Sequence, residues 1–236
     1  MSKLFLVPTP IGNLKDITLR ALDILNSVDL ILSEDTRISG RLLKHYGIQK
    51  PLKKYNKDNE HQSAQYWIDR VKAGQNIALI SDAGTPGISD PGFLLSNLCI
   101  SQDIEVECLA GPVAFIPALL TSGIACDRFC FEGFLPHKKG RQKRLQELLE
   151  ETKTIIFYES PHRIERLISE LHEIFGEKRQ ACISREISKI HEEHLRGSLA
   201  ELKIGLEEKK LKGEIVVILE GKKTEKKIKQ NKYKNS

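Results

Sequence analysis

The chain has 236 residues, 40% hydrophobic and 29% charged, enough to bury one large or two ordinary cores and too apolar for a disordered protein. No apolar run approaches the roughly eighteen residues of a membrane-spanning helix, and the short Leu4–Val7 run stops at Pro8 without a small-residue cleavage site, so a buried first strand is expected rather than a signal peptide. The net charge of +5 is uneven, because residues 222–236 hold seven lysines and one glutamate, while five cysteines without a CxxC pair and histidines without zinc spacing argue against a metal and for reduced thiols in a cytoplasm.

Leu4–Pro8 reads as the first strand. Pro8-Thr9-Pro10-Ile11-Gly12-Asn13-Leu14 follows, with prolines that stiffen the backbone and a glycine that turns it, which suits a ligand-facing loop and an ordinary tight turn equally. Ile17, Ala21, Ile24 and Val28 then share one helical face, with Asp16 as candidate cap. A strand over Asp29–Ser33 ends in Ser33-Glu34-Asp35-Thr36-Arg37, where Asp35 either caps a helix with Arg37 as its partner or contacts substrate. A helix over Asn59–Ala73, stopped by Gly74, leads to a strand at Ile77–Asp82. The next segment, Ser81–Gly92, packs three glycines, two prolines and two aspartates behind that strand. A long, backbone-exposing loop in a compact domain is usually functional. Its carboxylates suit ribose hydroxyls or an ammonium, and its amides suit a carboxylate. GxGxxG and GxxxxGK[ST] are both missing from the sequence, which weighs against nicotinamide and ATP cofactors. With a further strand at Ile104–Leu109, the order is that of an α/β domain with a mostly parallel sheet covered on both faces.

After Gly111-Pro112 the pattern restarts with a helix over Val113–Thr121 and strands at Arg128–Phe134, Lys153–Tyr158, Gln180–Arg185 and Glu214–Glu220. We therefore expect two α/β domains with mostly parallel sheets, 1–111 and 112–221, followed by a basic tail at 222–236. Lys138, Lys139, Arg141, Lys143 and Arg144 open a helical stretch, as a solvated basic face or as phosphate contacts. In Phe157-Tyr158-Glu159-Ser160-Pro161-His162-Arg163, Ser160 as N-cap and Pro161 as first helical residue predict a helix to about Phe175, ended by Gly176. Capping leaves Glu159, His162 and Arg163 unexplained, which makes them site candidates. The charge-dense Arg185–Gly197 stretch reads as a surface loop, whose Arg185 and Lys189 are suited to a polyanion.

Taken in order, VPTPIGNLKDITLRAL, SEDTR, SDAGTPGISDPG, FEGFLP, FYESPHR, REISKIHEE and KGEIVVILEG resemble the bacterial 16S ribosomal RNA cytidine-2′-O-methyltransferases, within the tetrapyrrole (corrin/porphyrin) methylase superfamily. The resemblance spans Leu4 to about Gly221. It implies two α/β domains with S-adenosylmethionine in the cleft between them, a cytoplasmic homodimer, and methylation of the ribose 2′-hydroxyl of a cytidine in 16S rRNA of the small ribosomal subunit. Position by position it implies cofactor contacts at Pro8, Asp82, Ala83, Gly84, Ile88 and Ser89, then at Ser122, Ala125, Tyr158, Glu159, Gly213 and Glu214. Glu34, Asp35, Arg37, Glu159, His162 and Arg163 become the catalytic candidates, and Lys138, Lys139, Arg141, Lys143, Arg144, Arg185 and Lys189 the RNA contacts. Three departures stand out: Ala110 for the proline of a PGP turn, Gly87 for a leucine, and a lysine tail where longer members carry a small extra domain. We expect that tail to supply screened phosphate attraction in its place. The alternatives are a methylase of a tetrapyrrole or other small molecule, and a non-catalytic RNA-binding module.

Overall fold

The computed structural model describes residues 2–223, so most of the basic tail, from residue 224, lies outside the described residues. The chain forms two compact units: the residues through Pro117 with Glu186–Glu192, and Ala118–Arg185 with the residues from Glu193 on. The first division thus falls after Pro117 rather than at Gly111–Pro112. Two contacts account for the shift. Gly111 lies so close to Pro8 that a Cβ there would sit 2.5 Å from the Pro8 Cβ, and Thr85 Oγ1 donates to the Pro112 carbonyl at 2.9 Å. The turn is tied into the first unit on both sides.

The first unit holds β1 (Leu4–Leu6), α1 (Leu19–Ser27), β2 (Leu30–Ser33), α2 (Thr36–His45), β3 (Leu52–Lys54), α3 (Glu60–Lys72), β4 (Ile77–Ile80), α4 (Phe93–Ser101) and β5 (Val106–Cys108). Its sheet is parallel throughout, in the order β3-β2-β4-β1-β5. Alternate strand residues serve opposite faces, as period-two geometry requires. Leu4, Ile77 and Leu79 pack with Trp67, Ile68 and Leu95, while Phe5, Ala78 and Ile80 pack with Ala21, Leu25 and Leu43. Helices α3 and α4 therefore cover one face, α1 and α2 the other. The α1 cap is Thr18, whose side chain accepts from the Ala21 amide, and Asp16 instead closes a 3-10 turn over Leu14–Asp16.

The second unit contains β6 (Phe129–Phe134), α6 (Arg141–Glu147), β7 (Thr154–Glu159), α7 (Ile164–Phe175), β8 (Gln180–Arg185), β9 (Glu193–Ser198), α8 (Leu199–Glu208) and β10 (Ile215–Leu219), with α5 (Phe115–Thr121) running across the division. The order is β6-β7-β10-β8-β9, and only β6 and β7 run parallel. The expectation of a second mostly parallel sheet is corrected here. Strand β10 returns between β7 and β8 and pairs antiparallel with both, and β8 joins β9 through the short Glu186–Glu192 excursion. The expected surface loop at Arg185–Gly197 is corrected with it, because Glu193–Ser198 pairs along β8 as an edge strand. Its charges are those of a solvated edge. Helix α7 begins at Ile164 rather than Pro161, since Pro161–Arg163 forms a turn in which the His162 amide donates to Ser160 Oγ at 3.2 Å. Leu145, Ile164, Leu167, Leu171, Leu199 and Leu202 bring α6, α7 and α8 against Ile155, Phe157 and Val217 of the sheet.

Candidate functional site

In the first sheet β1 and β4 are neighbours whose following connections leave in opposite directions, toward β2 and toward β5. Open α/β sheets bind ligands at the carboxyl ends of the strands at such a switch point. The two sequence-predicted loops meet there. Thr9 and Gly84 exchange backbone hydrogen bonds at 2.9 and 3.0 Å, forming an isolated bridge between the loop after β1 and the loop after β4. Thr9 Oγ1 donates to the Ser81 carbonyl at 3.1 Å and Ser81 Oγ to the Gly84 carbonyl at 3.0 Å, so the turn is braced by buried hydroxyls. Pro8 is buried against Gly111. Gly84 and Gly87 take φ of 84° and 85°, and Ser89 takes 66°, an uncommon conformation for a residue with a side chain. Strained backbone of this kind clusters at ligand sites. Gly87, read above as a departure, occupies a left-handed position that suits glycine.

Beside this loop lies a group of carboxylates. Asp35 caps α2: its side chain accepts from the Arg37 amide at 2.8 Å and pairs with the Arg37 guanidinium at 2.5 Å. The Asp35 amide in turn donates to Asp82 Oδ1 at 3.0 Å, which joins the β2 loop to the β4 loop. The hydrogen bonds from Arg37 hold Asp35 well below the usual carboxylate range. Burial raises the Asp82 carboxyl, and burial followed by the charge of Asp82 raises Glu34. Lys57, on the loop after β3, donates to the Ser89 carbonyl at 3.0 Å and partly offsets the rise at Glu34. Lys57 has no counterpart in the sequence reading, because it follows a strand that the reading also missed. The first-unit positions Pro8, Glu34, Asp35, Arg37, Asp82, Ala83, Gly84, Ile88 and Ser89 are thus brought to one edge. That edge offers carboxylate acceptors for hydroxyl or ammonium groups beside backbone without side chains.

In the second unit Glu159 is 2% exposed, with Arg163 at 2.8 Å and Arg141 at 3.4 Å. Its Oε1 also accepts from the Ser160 amide at 2.8 Å. Arg141 is 1% exposed and pairs with Glu170 at 2.7 Å, so its assignment as an RNA contact is corrected: two glutamates draw it into the interior. Lys138, Lys139, Lys143 and Arg144 stay exposed, Arg144 gripping Glu132 through two 2.7 Å bonds, and His162 is exposed as well. Phe134, Pro136, Gly140, Lys143 and Arg144 line a cavity of about 370 Å³ beside α6. Arg185 pairs with Glu193 and Lys189 with Glu186, at 2.8 and 2.9 Å. Tyr158 stands edge-on to Phe131 and Phe134, with ring centroids 5.1 and 5.6 Å away. Ser122 Oγ is buried in a helix-end turn, donating to the Leu119 carbonyl and accepting from the Ile124 amide. Ala125 is exposed and its carbonyl accepts from Thr154 Oγ1, while Gly213, with φ of 88°, and exposed Glu214 lead into β10.

A parallel five-stranded sheet with a braced Gly/Pro loop at its switch point, followed in the chain by a mixed five-stranded unit, defines a methylase-type fold. The chain belongs to the tetrapyrrole (corrin/porphyrin) methylases, whose family model matches residues 3–203. Within that family it is 50% identical over 222 residues to ribosomal RNA small subunit methyltransferase I of Pasteurella multocida, covering 93% of this chain and 79% of that protein. It is 45% identical to the protein of the same name from Thermotoga maritima, covering 94% of this chain and 100% of that one. The uroporphyrin-III C-methyl transferase of Thermus thermophilus, in complex with S-adenyl homocysteine, is similar in fold with a TM-score of 0.65 and 16% identity, over 93% of this chain and 97% of that structure.

Proposed function

We propose that this protein transfers the methyl group of S-adenosylmethionine to a ribose 2′-hydroxyl of a cytidine in small-subunit ribosomal RNA, as a cytoplasmic homodimer. The observation that carries this reading is the 50% identity, across 93% of the chain, to a relative named for methylating ribosomal RNA of the small subunit. Among the described residues no helix is long and apolar enough to cross a membrane.

The residues at the sheet edge suit the cofactor. Asp82 offers a carboxylate for hydroxyl or ammonium groups, Ala83, Gly84, Ile88 and Ser89 offer a braced backbone surface, and Pro8, packed against Gly111, is the contact from the loop after β1. Ser122, Ala125, Tyr158, Glu159, Gly213 and Glu214 are the proposed contributions of the second unit. When bound, the cofactor supplies an electrophilic methyl group, and the protein's task is alignment of donor and acceptor.

Transfer would form an oxygen–carbon bond at the ribose as the donor's carbon–sulfur bond breaks and its sulfur leaves as a neutral thioether, and the hydroxyl proton released passes to a nearby base. Of the acidic candidates, Asp35 is neutralised by Arg37 and Glu159 by two guanidiniums. Among the described residues Glu34 has no guanidinium paired to it, only the partial offset from the Lys57 charge, and its raised affinity for protons fits it to take the hydroxyl proton. Arg37, His162 and Arg163 remain as candidates for steadying developing negative charge. Lys138, Lys139, Lys143 and Arg144 meet the RNA backbone, joined by Arg185 and Lys189. A ribose turned out of its helix is required, so structured RNA or assembled subunits are the substrate and free cytidine is not. Glu34→Gln tests the base: the turnover rate falls about 10²-fold or more while cofactor affinity holds. A rate within threefold of wild type would remove Glu34 from that role.

A further inference from the structure

Arg141, Arg163 and Arg166 do not form a solvated basic face. Arg141 donates through Nε to Glu170 Oε2 at 2.7 Å and through NH2 to Glu159 Oε2 at 3.4 Å. Arg163 pairs with Glu159 Oε1 at 2.8 Å, and Arg166 with Glu170 Oε1 at 2.9 Å. Two buried carboxylates are therefore surrounded by three guanidiniums. Each of the three arginines has a second hold on the loop before α6. Arg141 NH1 donates to the Pro136 carbonyl and Arg166 NH1 to the His137 carbonyl, both at 3.4 Å. Arg163 NH1 lies 2.9 Å from His137 Nδ1, and the Arg141 amide donates to the Lys138 carbonyl at 3.3 Å. Two consecutive loop residues, Pro136 and His137, are held by the guanidiniums around the buried carboxylates, and the next, Lys138, by the Arg141 backbone. The exposed pair Lys138 and Lys139 lies at the end of the gripped stretch, and Gly140, at φ of 87°, turns the chain into α6.

Apolar side chains in place of Arg141, Glu159 and Glu170 together would hold α6 as well as the ionic group does, since well-packed apolar replacements of a whole buried ionic group are often neutral or better. Burying these three charges is therefore not in itself a route to stability. The guanidinium fork adds a planar set of donors that reaches a carboxylate and a carbonyl together. Only the loop makes use of that second function. A lysine on a free loop must lose loop and side-chain freedom when it meets a phosphate, whereas one on a held loop has lost much of it already.

We propose that Arg141, with Arg163 and Arg166, acts as a positioning residue that holds the Pro136–Lys139 loop so that Lys138 and Lys139 meet substrate RNA phosphates preorganised. The proposal rests on the RNA substrate proposed above. Its test is a mutant cycle in methyl transfer to small ribosomal subunits, reading KM, turnover and cofactor affinity. Arg166→Gln is the main variant, because the Arg166 side chain is 53% exposed and its replacement leaves the core filled. Arg141→Lys, which keeps the charge and loses the fork, is the second. Each raises KM for subunits about fivefold or more, and Arg166→Gln, which does not touch Glu159, leaves turnover and cofactor affinity unchanged. In a Lys138→Ala/Lys139→Ala background, Arg166→Gln adds nothing further. If its effect multiplies undiminished in that background, or falls on turnover with KM unchanged, the network is structural only and the proposal is overturned. A wild-type protein that binds cofactor and transfers no methyl to subunits overturns the RNA reading, and this proposal with it.

Discussion

Gly111→Ala tests whether the loop after β1 is held by close packing rather than by its prolines alone. The added methyl carbon would lie 2.5 Å from Pro8 Cβ and 2.8 Å from Pro8 Cγ. Carbon atoms pack at roughly 3.5–4.0 Å, so one side must retreat by about 1 Å. Neither side yields easily. Pro8 is a buried ring with a fixed φ, flanked by the Val7 amide bonded to Leu79 and the Thr9 amide bonded to Gly84, both at 2.9 Å. Overpacking of this kind costs about 1–3 kcal/mol. At roughly 2–4 °C per kcal/mol for a chain of this size, the melting midpoint falls by several degrees. A shift of about 1 Å at a positioning loop also lowers transfer by about 10²-fold. Denaturant melts, calorimetric titration with S-adenosylmethionine and initial rates measure the three effects. A Gly111→Ala protein with the wild-type midpoint and cofactor affinity would refute the packing argument.

Glu34 holds its proton more tightly folded than unfolded, so the stability it contributes is complete below its ordinary value of 4.5 and is lost as pH rises through its raised folded value. Glu34→Gln therefore melts at or above the wild-type temperature at pH 7.5, and the difference closes below pH 4; a lower midpoint at pH 7.5 contradicts the assignment. Asp82→Asn keeps an oxygen for the Asp35 amide, so it folds normally, yet calorimetry should find its cofactor affinity about 10- to 100-fold weaker through loss of a charged acceptor. Lys138→Ala/Lys139→Ala flattens the slope of log affinity for RNA against log salt by about 1.5, and an unchanged slope removes these lysines from the backbone contact. Deleting residues 222–236 takes away seven lysines and flattens the same slope, if the tail acts on phosphates as its charge implies.

The buried parallel strands were legible because continuous apolar runs such as Ile77–Ile80 end in dense Gly/Pro loops. Strand β3 was not: Leu52-Lys53-Lys54 is short and lies at the sheet edge, where among the described residues it pairs with β2 alone. Edge strands are selected to look polar, and Glu193–Ser198 escaped notice for the same reason. Strand direction in the second sheet was also hidden, since periodicity reports which face is buried and says nothing of which neighbour is chosen. At the site, the capping role of Asp35 was visible in its position at the end of a strand. The burial of Arg141 was not, because its partners Glu159 and Glu170 are distant in sequence and a basic run reads as solvated. Lys57 was lost along with the strand that places it.

Transfer of labelled methyl from S-adenosylmethionine to small ribosomal subunits taken from cells lacking this protein, with mapping of the modified nucleotide, tests the central claim most directly. The account predicts label in a single 2′-O-methylcytidine of the small-subunit RNA. Tight cofactor binding with no label in RNA would contradict it and favour a small-molecule methylase.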